Sequence, residues 1–507
     1  MDSQYLPHSR GSRTTAYYQT DINALVSSIL KRSQDLSVKL VSETTIGAAI
    51  TNALIKNTIG PGLEPKASPE MAALDWTDEQ RGRFVSQAES FFRRCAGRRS
   101  FDYYGRNGFD SLQQIGFRMM LDSGDVLVHR VYGTEREGFR PKLQILSGRW
   151  VSNPMMTDTK RSVGGVLFDE EGRESGYLIL QTDESNRDTF TAKEVRKYND
   201  SGFEEFLLVG IQMHEANQVR GIPWLTTVAQ DIIDLENFKI AHRTKAATQA
   251  LLTAAIVSDA EAPVQQVSSI DRIRNLEGGD RHVGPVPGED SQSNLELGAG
   301  NVISLNPGER MDMLESKSPM SSYKEYVMLE LSQIGGATLV PYEMMTQTFN
   351  SNYSSSRATI MGAAEAYRAL KEEFATKFCD PVWDFVIDWG IRTGQIEAPG
   401  YIEGSDMYRD AILACTWIGP SAVILDPTRE MGAHILAIQN NLEPMAIPMR
   451  ELFGIDFDEA VESIAKEKAA LREKGLQTQA YNSFKEKAPL DDGRDGEDGK
   501  EDSTDGE

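Results

Sequence analysis

The sequence predicts an α+β protein that is mainly helical. Apolar residues recur at helical spacing over 21–57, 225–258 and 357–393, while short β-prone runs parted by turn residues concentrate between 122 and 215. With 507 residues, of which 40% are hydrophobic, the chain is long enough for about three compact units and a real core without disulfide or metal staples.

Residues 1–20 are polar and rich in Ser, Arg and Tyr, which suggests a flexible arm. A helical pattern begins at Asp21 with Leu25, Ile29, Leu36 and Leu40, and Thr44–Ile50 carry it on to the stop at Gly60-Pro61-Gly62. Residues 69–121 read as helical again, around Trp76, Phe84, Phe91, Phe92, Leu112, Ile115 and Met119. The character changes at the turn Ser123-Gly124-Asp125. Strand-like runs follow at 126–128, 143–146, 163–168, 177–180 and 206–212, so 122–215 is expected to hold a sheet.

Gly221-Ile222-Pro223-Trp224 opens a long helix over 225–258, with Val228, Ile232, Leu235 and Phe238 in phase. Its far half is rich in alanine, including Ala246, Ala247, Ala250 and Ala254. Small side chains permit close helix packing, but alanine is also the best helix former, so the run fits either cause. Residues 259–320 are rich in Gly, Pro, Ser and Asp and read as an exposed excursion. Ser322 and Glu325 have capping-box spacing and start a helix over 321–340 that Gly335-Gly336 should end or kink. Residues 341–356 read as a polar loop, and a second long helix runs from 357 to 393 with a bend at Pro381. Residues 429–475 are helical and charged. The tail from 490 to 507 carries nine acidic and two basic residues and should be disordered.

Lys and Arg total 53 against 76 Asp and Glu, a net charge of −23. That balance disfavours a sequence-reading DNA-binding domain and an anionic membrane surface. Cys95, Cys379 and Cys415 are odd in number and far apart, which suggests reduced thiols and no thiolate zinc site. No signal peptide or membrane span is expected. Phosphate-loop, nucleophile-elbow and His-Glu-x-x-His motifs are lacking. No two of the six histidines stand three or four residues apart, so no helical metal pair is expected, and neither is any cofactor. Arg93-Arg94-Cys95-Ala96-Gly97-Arg98-Arg99 is a compact basic patch that suits DNA phosphates, an acidic partner or simply a solvated helix end.

Six strings then fall in one order: Asn57-x-Ile59-Gly60-x-Gly62-Leu63, Ser123-Gly124-Asp125-Val126-Leu127-Val128, Gln218-Val219-Arg220-Gly221-Ile222-Pro223-Trp224-Leu225, Asn352-Tyr353-Ser354-Ser355-x-Arg357, Phe378-Cys379-x-Pro381-Val382-Trp383, and Trp417-Ile418-Gly419-Pro420 leading to Asp426-Pro427-x-Arg429-Glu430. In these strings and in its order of elements, over about residues 30–475, the chain resembles the lambda-type family of bacteriophage portal proteins. One departure is Ser421-Ala422-Val423, where the family often has an aromatic residue.

The resemblance implies a portal fold with wing, stem, clip and crown, assembled as a ring, usually a dodecamer, at one vertex of a phage head. Its partners would be a terminase large subunit, the major capsid or scaffold protein and a head-completion or adaptor protein. Double-stranded DNA would pass through without sequence-specific contact. On this plan 1–20 is an arm and 21–224 the wing, helical over 21–121 and sheet-containing over 122–215. The first stem helix is 225–258, the clip 259–320 and the second stem helix 321–340. A channel loop spans 341–356, the kinked helix and wing return 357–428, the crown 429–480 and the acidic tail 481–507. Gln347, Thr348, Phe349, Asn350, Ser351, Asn352 and Tyr353 would lie nearest DNA. Arg310, Lys317 and Lys324 would offer basic contacts in the channel, and Ala246, Ala247, Ala250 and Ala254 a ring interface. Such a protein is no enzyme and acts in the virion and, during assembly, in the host cytoplasm. Two alternatives stay open: a hydrolase using Asp122, Asp125 and His129, and a head–tail adaptor ring, against which the chain length speaks.

Overall fold

The computed structural model describes residues 21–134, 139–152, 161–182, 190–211, 214–251, 255–258, 309–312, 321–348, 353–420, 427–453, 455 and 457–474. The chain divides into two units, Met1–Pro420 and Ser421–Glu507.

The first unit opens with α1 (Ile22–Glu43) and α2 (Thr45–Thr58). The apolar spacing runs on across both, but Thr44 is extended and its hydroxyl accepts from Gly47 N at 3.1 Å, which caps α2 and breaks the run. A short strand β1 (Glu64–Ala67) follows, then α3 (Asp78–Ala96) behind a Thr77–Gln80 capping box, and α4 (Phe109–Ser123). The helical character expected over 69–121 takes the form of two helices parted by a connection at 97–108.

Two antiparallel sheets come next. One has the order β3-β2-β8, built from β2 (Asp125–Tyr132), β3 (Pro141–Ser147) and β8 (Phe206–Gly210). The other runs β4-β5-β6-β7, from β4 (Ser162–Val163), β5 (Val166–Phe168), β6 (Glu174–Thr182) and β7 (Phe190–Arg196). The run read at 163–168 is in fact a hairpin turning at Gly164 and Gly165, both at positive φ.

The alternation along β2 makes three layers. Val126 and Val128 point into the main core with Leu143, Ile145 and Val209, against the helices. Leu127 points the other way and shares a second core with Val151, Val166, Tyr177 and Phe206, under the four-stranded sheet.

The chain then forms α5 (Ala229–Leu251), β9 (Ala255–Ser258), β10 (Glu309–Asp312) and α6 (Ser321–Thr338). The helix expected over 225–258 is shorter, because 255–258 pairs as a strand with 309–312. Helix α6 runs through Gly335-Gly336 to Thr338, past the stop that the glycines suggest.

After a short α7 (Tyr342–Thr346), helix α8 (Tyr353–Phe374) begins before Arg357. A π-helical turn over Ala375–Cys379 joins it to α9 (Asp380–Arg392). Pro381 lacks an amide hydrogen, and the wider turn ahead of it takes up the mismatch. The last pieces are α10 (Asp406–Leu413) and β11 (Cys415–Ile418), which pairs antiparallel with β1.

Aromatic rings bind these helices together. Phe92 lies 5.2 Å from Trp383 and 5.5 Å from Phe109, Phe117 lies 5.4 Å from Phe374, and Phe374 stacks on Phe378 at 4.7 Å. Such pairs add about 0.5–1.5 kcal/mol each beyond the area they bury.

The second unit holds α11 (Pro427–Gln439), α12 (Ala446–Phe453) and α13 (Phe457–Glu473). Within it His434 Nδ1 lies 2.8 Å from Glu443 Oε2, tying α11 to the turn that follows. All three cysteines are free thiols. Among the described residues no helix is long and apolar enough to cross a membrane.

Candidate functional site

Helices α5 and α6 lie antiparallel, and their contacts keep one register. Trp224 Nε1, just before α5, donates to Thr338 O at 3.1 Å. One limb further, Phe238 stacks on Tyr323 at 5.6 Å and meets Tyr326 at 4.6 Å, while His242 lies 4.3 Å from Tyr323. The same order continues where Val257 pairs with Arg310. A 23-residue helix is about 34 Å long, and the strands extend the arm. Its two limbs face carboxylates toward each other: partial burial raises the Asp231 carboxyl above its usual range, with Glu330 and then Asp234 adding to the shift.

At the base of this arm the chain turns sharply. Leu339 takes a left-handed φ of 61°, and Val340 N donates to Gly335 O at 3.1 Å, which closes the carbonyl end of α6. A Cβ at Gly335 would meet Val340 O at 2.7 Å, so only glycine permits the approach. Pro341 starts α7, and Gln347 ends it with a second left-handed φ of 53°. Two non-glycine residues in that region bracket one short helix, and each stores strain of about 1–3 kcal/mol. Glu343 within it is 5% exposed, and its Oε2 has no hydrogen-bond partner among the described residues.

The residues proposed from the sequence fall as follows. Gln347 and Thr348 are exposed, and the Thr348 hydroxyl lies 2.6 Å from that of Thr346. Phe349, Asn350, Ser351 and Asn352 lie outside the described residues, and Tyr353 is the first residue of α8. Arg310 is in β10, Lys317 is outside the described residues, and Lys324 is exposed on α6. Ala246, Ala247 and Ala250 belong to α5, with side chains outside the described residues, as is the whole of Ala254.

The hydrolase arrangement does not assemble. Asp125 is buried and held by Arg220, whose Nε and Nη2 donate to its two carboxylate oxygens at 2.6 and 2.9 Å. His129 is four residues on along β2, about 13 Å away, with Nδ1 3.0 Å from Gln144 Oε1 and its ring stacked on Phe206. Burial pushes the Asp122 carboxyl up to about 6 against the pull of Arg118 and Arg149, but no histidine is paired with it among the described residues. No group of three or more His, Cys, Asp or Glu among the described residues is placed to hold a metal ion.

Five of the six strings, all but Asn352–Arg357, hold joints between segments. Gly124 and Gly221 touch backbone to backbone, where a Cβ on either would meet the other's carbonyl oxygen within 2.3 Å. There Arg220 joins three segments: it donates to Asp125, to Val151 O at 2.7 Å, to Gly148 O at 2.8 Å and to Gly164 O. Gly60, at φ 58°, packs against Pro420. Trp417 Nε1 donates to Asp380 Oδ1 at 2.6 Å, and Trp383 Nε1 to Leu413 O at 2.9 Å. Sequence reasoning missed Arg220 as a hub. The signal was a charged residue inside the otherwise apolar string Val219–Leu225, which demands a buried counter-charge.

A family model described as phage portal protein, lambda family, matches residues 8–371. No curated protein matches the chain. Among solved structures it is similar to a chain of the virion of a native gene transfer agent particle, at 12% identity and TM-score 0.43, covering 84% of this chain and 92% of that one. A chain from the neck of the empty particle, computed with C6 symmetry, gives the same values. One from the neck of the native particle, computed with C12 symmetry, gives 12% identity, the same coverage and TM-score 0.42.

Proposed function

Because this chain belongs to the lambda family of phage portal proteins, we propose that its copies close into a ring, a dodecamer, at one vertex of a phage head and conduct double-stranded DNA. A terminase drives the DNA inward during packaging, and the same channel releases it at infection. The chain itself catalyses nothing; it acts as head-to-tail connector in the virion, after assembly in the host cytoplasm.

The family match carries this reading, and the antiparallel α5–α6 arm supports it. A two-limbed arm repeated around an axis makes the wall of a tube, and the strained corner at Leu339–Gln347 leads from it into the polar segment 347–353. We assign that segment to the channel, 259–320 to the clip that meets the terminase and later an adaptor protein, the sheets and α8–α9 to the wing against the capsid or scaffold protein, and 429–480 to the crown. Arg310, Lys317 and Lys324 are assigned to transient phosphate contacts, and Ala246, Ala247, Ala250 and Ala254 to the repeated heterologous interface of a closed ring. The net charge of −23 favours passage over capture, since every phosphate neutralised by the wall would hold the duplex back.

The purified protein should form particles of roughly twelve times 56.3 kDa in light scattering, with a central pore in negative-stain images. A monomer at all concentrations, or compact particles without a pore, would overturn the reading.

A further inference from the structure

Arg93 and Arg94 lie in the last turn of α3, Arg98 and Arg99 just beyond it, Arg106 in the loop that leads to α4, and Arg140 immediately before β3. All six are exposed. Asp102 folds the loop that carries Arg98, Arg99 and Arg106. Its buried carboxylate accepts from the backbone N–H of Tyr104, Arg106 and Asn107 at 3.1, 3.0 and 3.2 Å, and from Asn107 Nδ2 at 3.2 Å. Tyr103 N donates to Leu143 O at 2.9 Å, which fastens the loop to β3. Arg140 in turn lies close enough to the end of α3 for its charge to act on the Cys95 thiol.

Asp102, the acid at the centre of this patch, is spent on holding the loop, and none of the six guanidiniums has an ion-pair partner among the described residues. Six exposed arginines elsewhere in the chain find carboxylates: Arg83 with Glu79, Arg149 with Asp35, Arg161 with Glu170, Arg173 with Glu171, Arg196 with Asp200 and Arg392 with Asp388; Arg81, Arg243 and Arg472 stand singly without one among the described residues. With acidic residues outnumbering basic ones 76 to 53, six arginines on one loop and its flanks without an acid among the described residues set this surface apart from the chain's average.

Two exposed tyrosines stand beside them. Tyr103 and Tyr104 meet edge to face at 5.3 Å, and the Tyr104 hydroxyl accepts from Gln144 Nε2 at 2.9 Å, which leaves its own hydrogen free to donate. Guanidinium forks and phenolic hydroxyls on a fixed loop are donors suited to phosphate oxygens.

We propose that this arginine–tyrosine patch binds the phosphate backbone of double-stranded DNA without reading its sequence. This goes beyond the channel reading, because the patch lies on α3, the loop 97–108 and β3, which carry none of the residues assigned to the channel. It is complete within one subunit.

The test uses the full chain and a covalently closed circular duplex, which cannot thread a ring and so reports only the outer surface. Binding is measured across a salt series. The Arg98→Gln, Arg99→Gln double variant should reduce the steepness of log K against log salt by about 2 and weaken binding roughly 60- to 100-fold at 0.1 M salt relative to 1 M. The Arg161→Gln, Arg173→Gln control should bind as the wild type does. Equal slopes for the Arg98/Arg99 variant and the wild type would overturn the proposal. So would a wild-type protein that takes up polyglutamate but not the circle, which would mark an acidic protein partner instead. A failure to form rings would leave the measurement unchanged, so the two readings fall separately.

Discussion

Arg220 shows how one side chain decides what a nearby carboxylate can do. From the sequence, Asp125 and His129 look like neighbours with acid–base capacity. The counter-charge that silences Asp125 stands 95 residues further on, and only the folded chain brings the two together. Replacing a buried ion pair with apolar groups can be neutral, but removing one partner strands the other, at a cost of about 3–5 kcal/mol. Arg220→Met should therefore lower the unfolding free energy by about that much in urea denaturation at neutral pH. Asp384 gives the complementary case. Burial, then Asp380, pushes its carboxyl up to about 7; Arg130 pulls it down, and Asp410 and Asp388 add to the rise. In the unfolded chain the group titrates near pH 4, so between about pH 4 and 7 the native state holds a proton that the unfolded state has lost. This group's contribution to stability is greatest below pH 4 and is lost as pH rises to 7. Asp384→Asn should be more stable than wild type at pH 8 by about 1–3 kcal/mol, with the gap closing by pH 4, as read by urea titrations at each pH.

At the scale of elements, long helices were legible because 3.6-residue spacing survives any tertiary context. Shorter features were not. Strand β1 is Glu64-Pro65-Lys66-Ala67, with no propensity for a sheet, and exists only because residues 415–418 arrive beside it. Strand β7 lacks a clean alternation, because Lys193 and Glu194 put a charge on each face, and it is an outer strand of its sheet. The break at Thr44 depends on a single hydroxyl. Helix α6 overrides two adjacent glycines, and they do different things. At Gly335 a methyl group would strike Val340 O, whereas at Gly336 nothing lies within 4 Å. Gly335→Ala should thus destabilise by about 1–3 kcal/mol, and Gly336→Ala should stabilise by about 0.5–1 kcal/mol, in thermal or urea unfolding. Equal effects from the two would mean that the turn at Leu339 does not depend on that close approach.

For the whole molecule, the order of elements was more legible than the residues of the site. Five of the six strings that carried the resemblance, all but Asn352–Arg357, hold residues where segments touch, and such places restrict side chains to glycine, proline, tryptophan or a paired charge. The proposed channel contacts are polar residues in a connecting segment, where spacing carries no signal, and four of them, from Phe349 to Asn352, lie outside the described residues. The basic patch was visible as a sequence run, but its extension to Arg106 and Arg140 needed the loop that Asp102 folds. One pairing has a further bearing on how the protein is made. Because β11 completes β1, and Pro420 packs on Gly60, the earliest part of the first unit waits for almost its last residues. A growing chain keeps that edge open until residues 415–420 have left the ribosome, so a premature stop ahead of them leaves an unfinished edge instead of a smaller working protein.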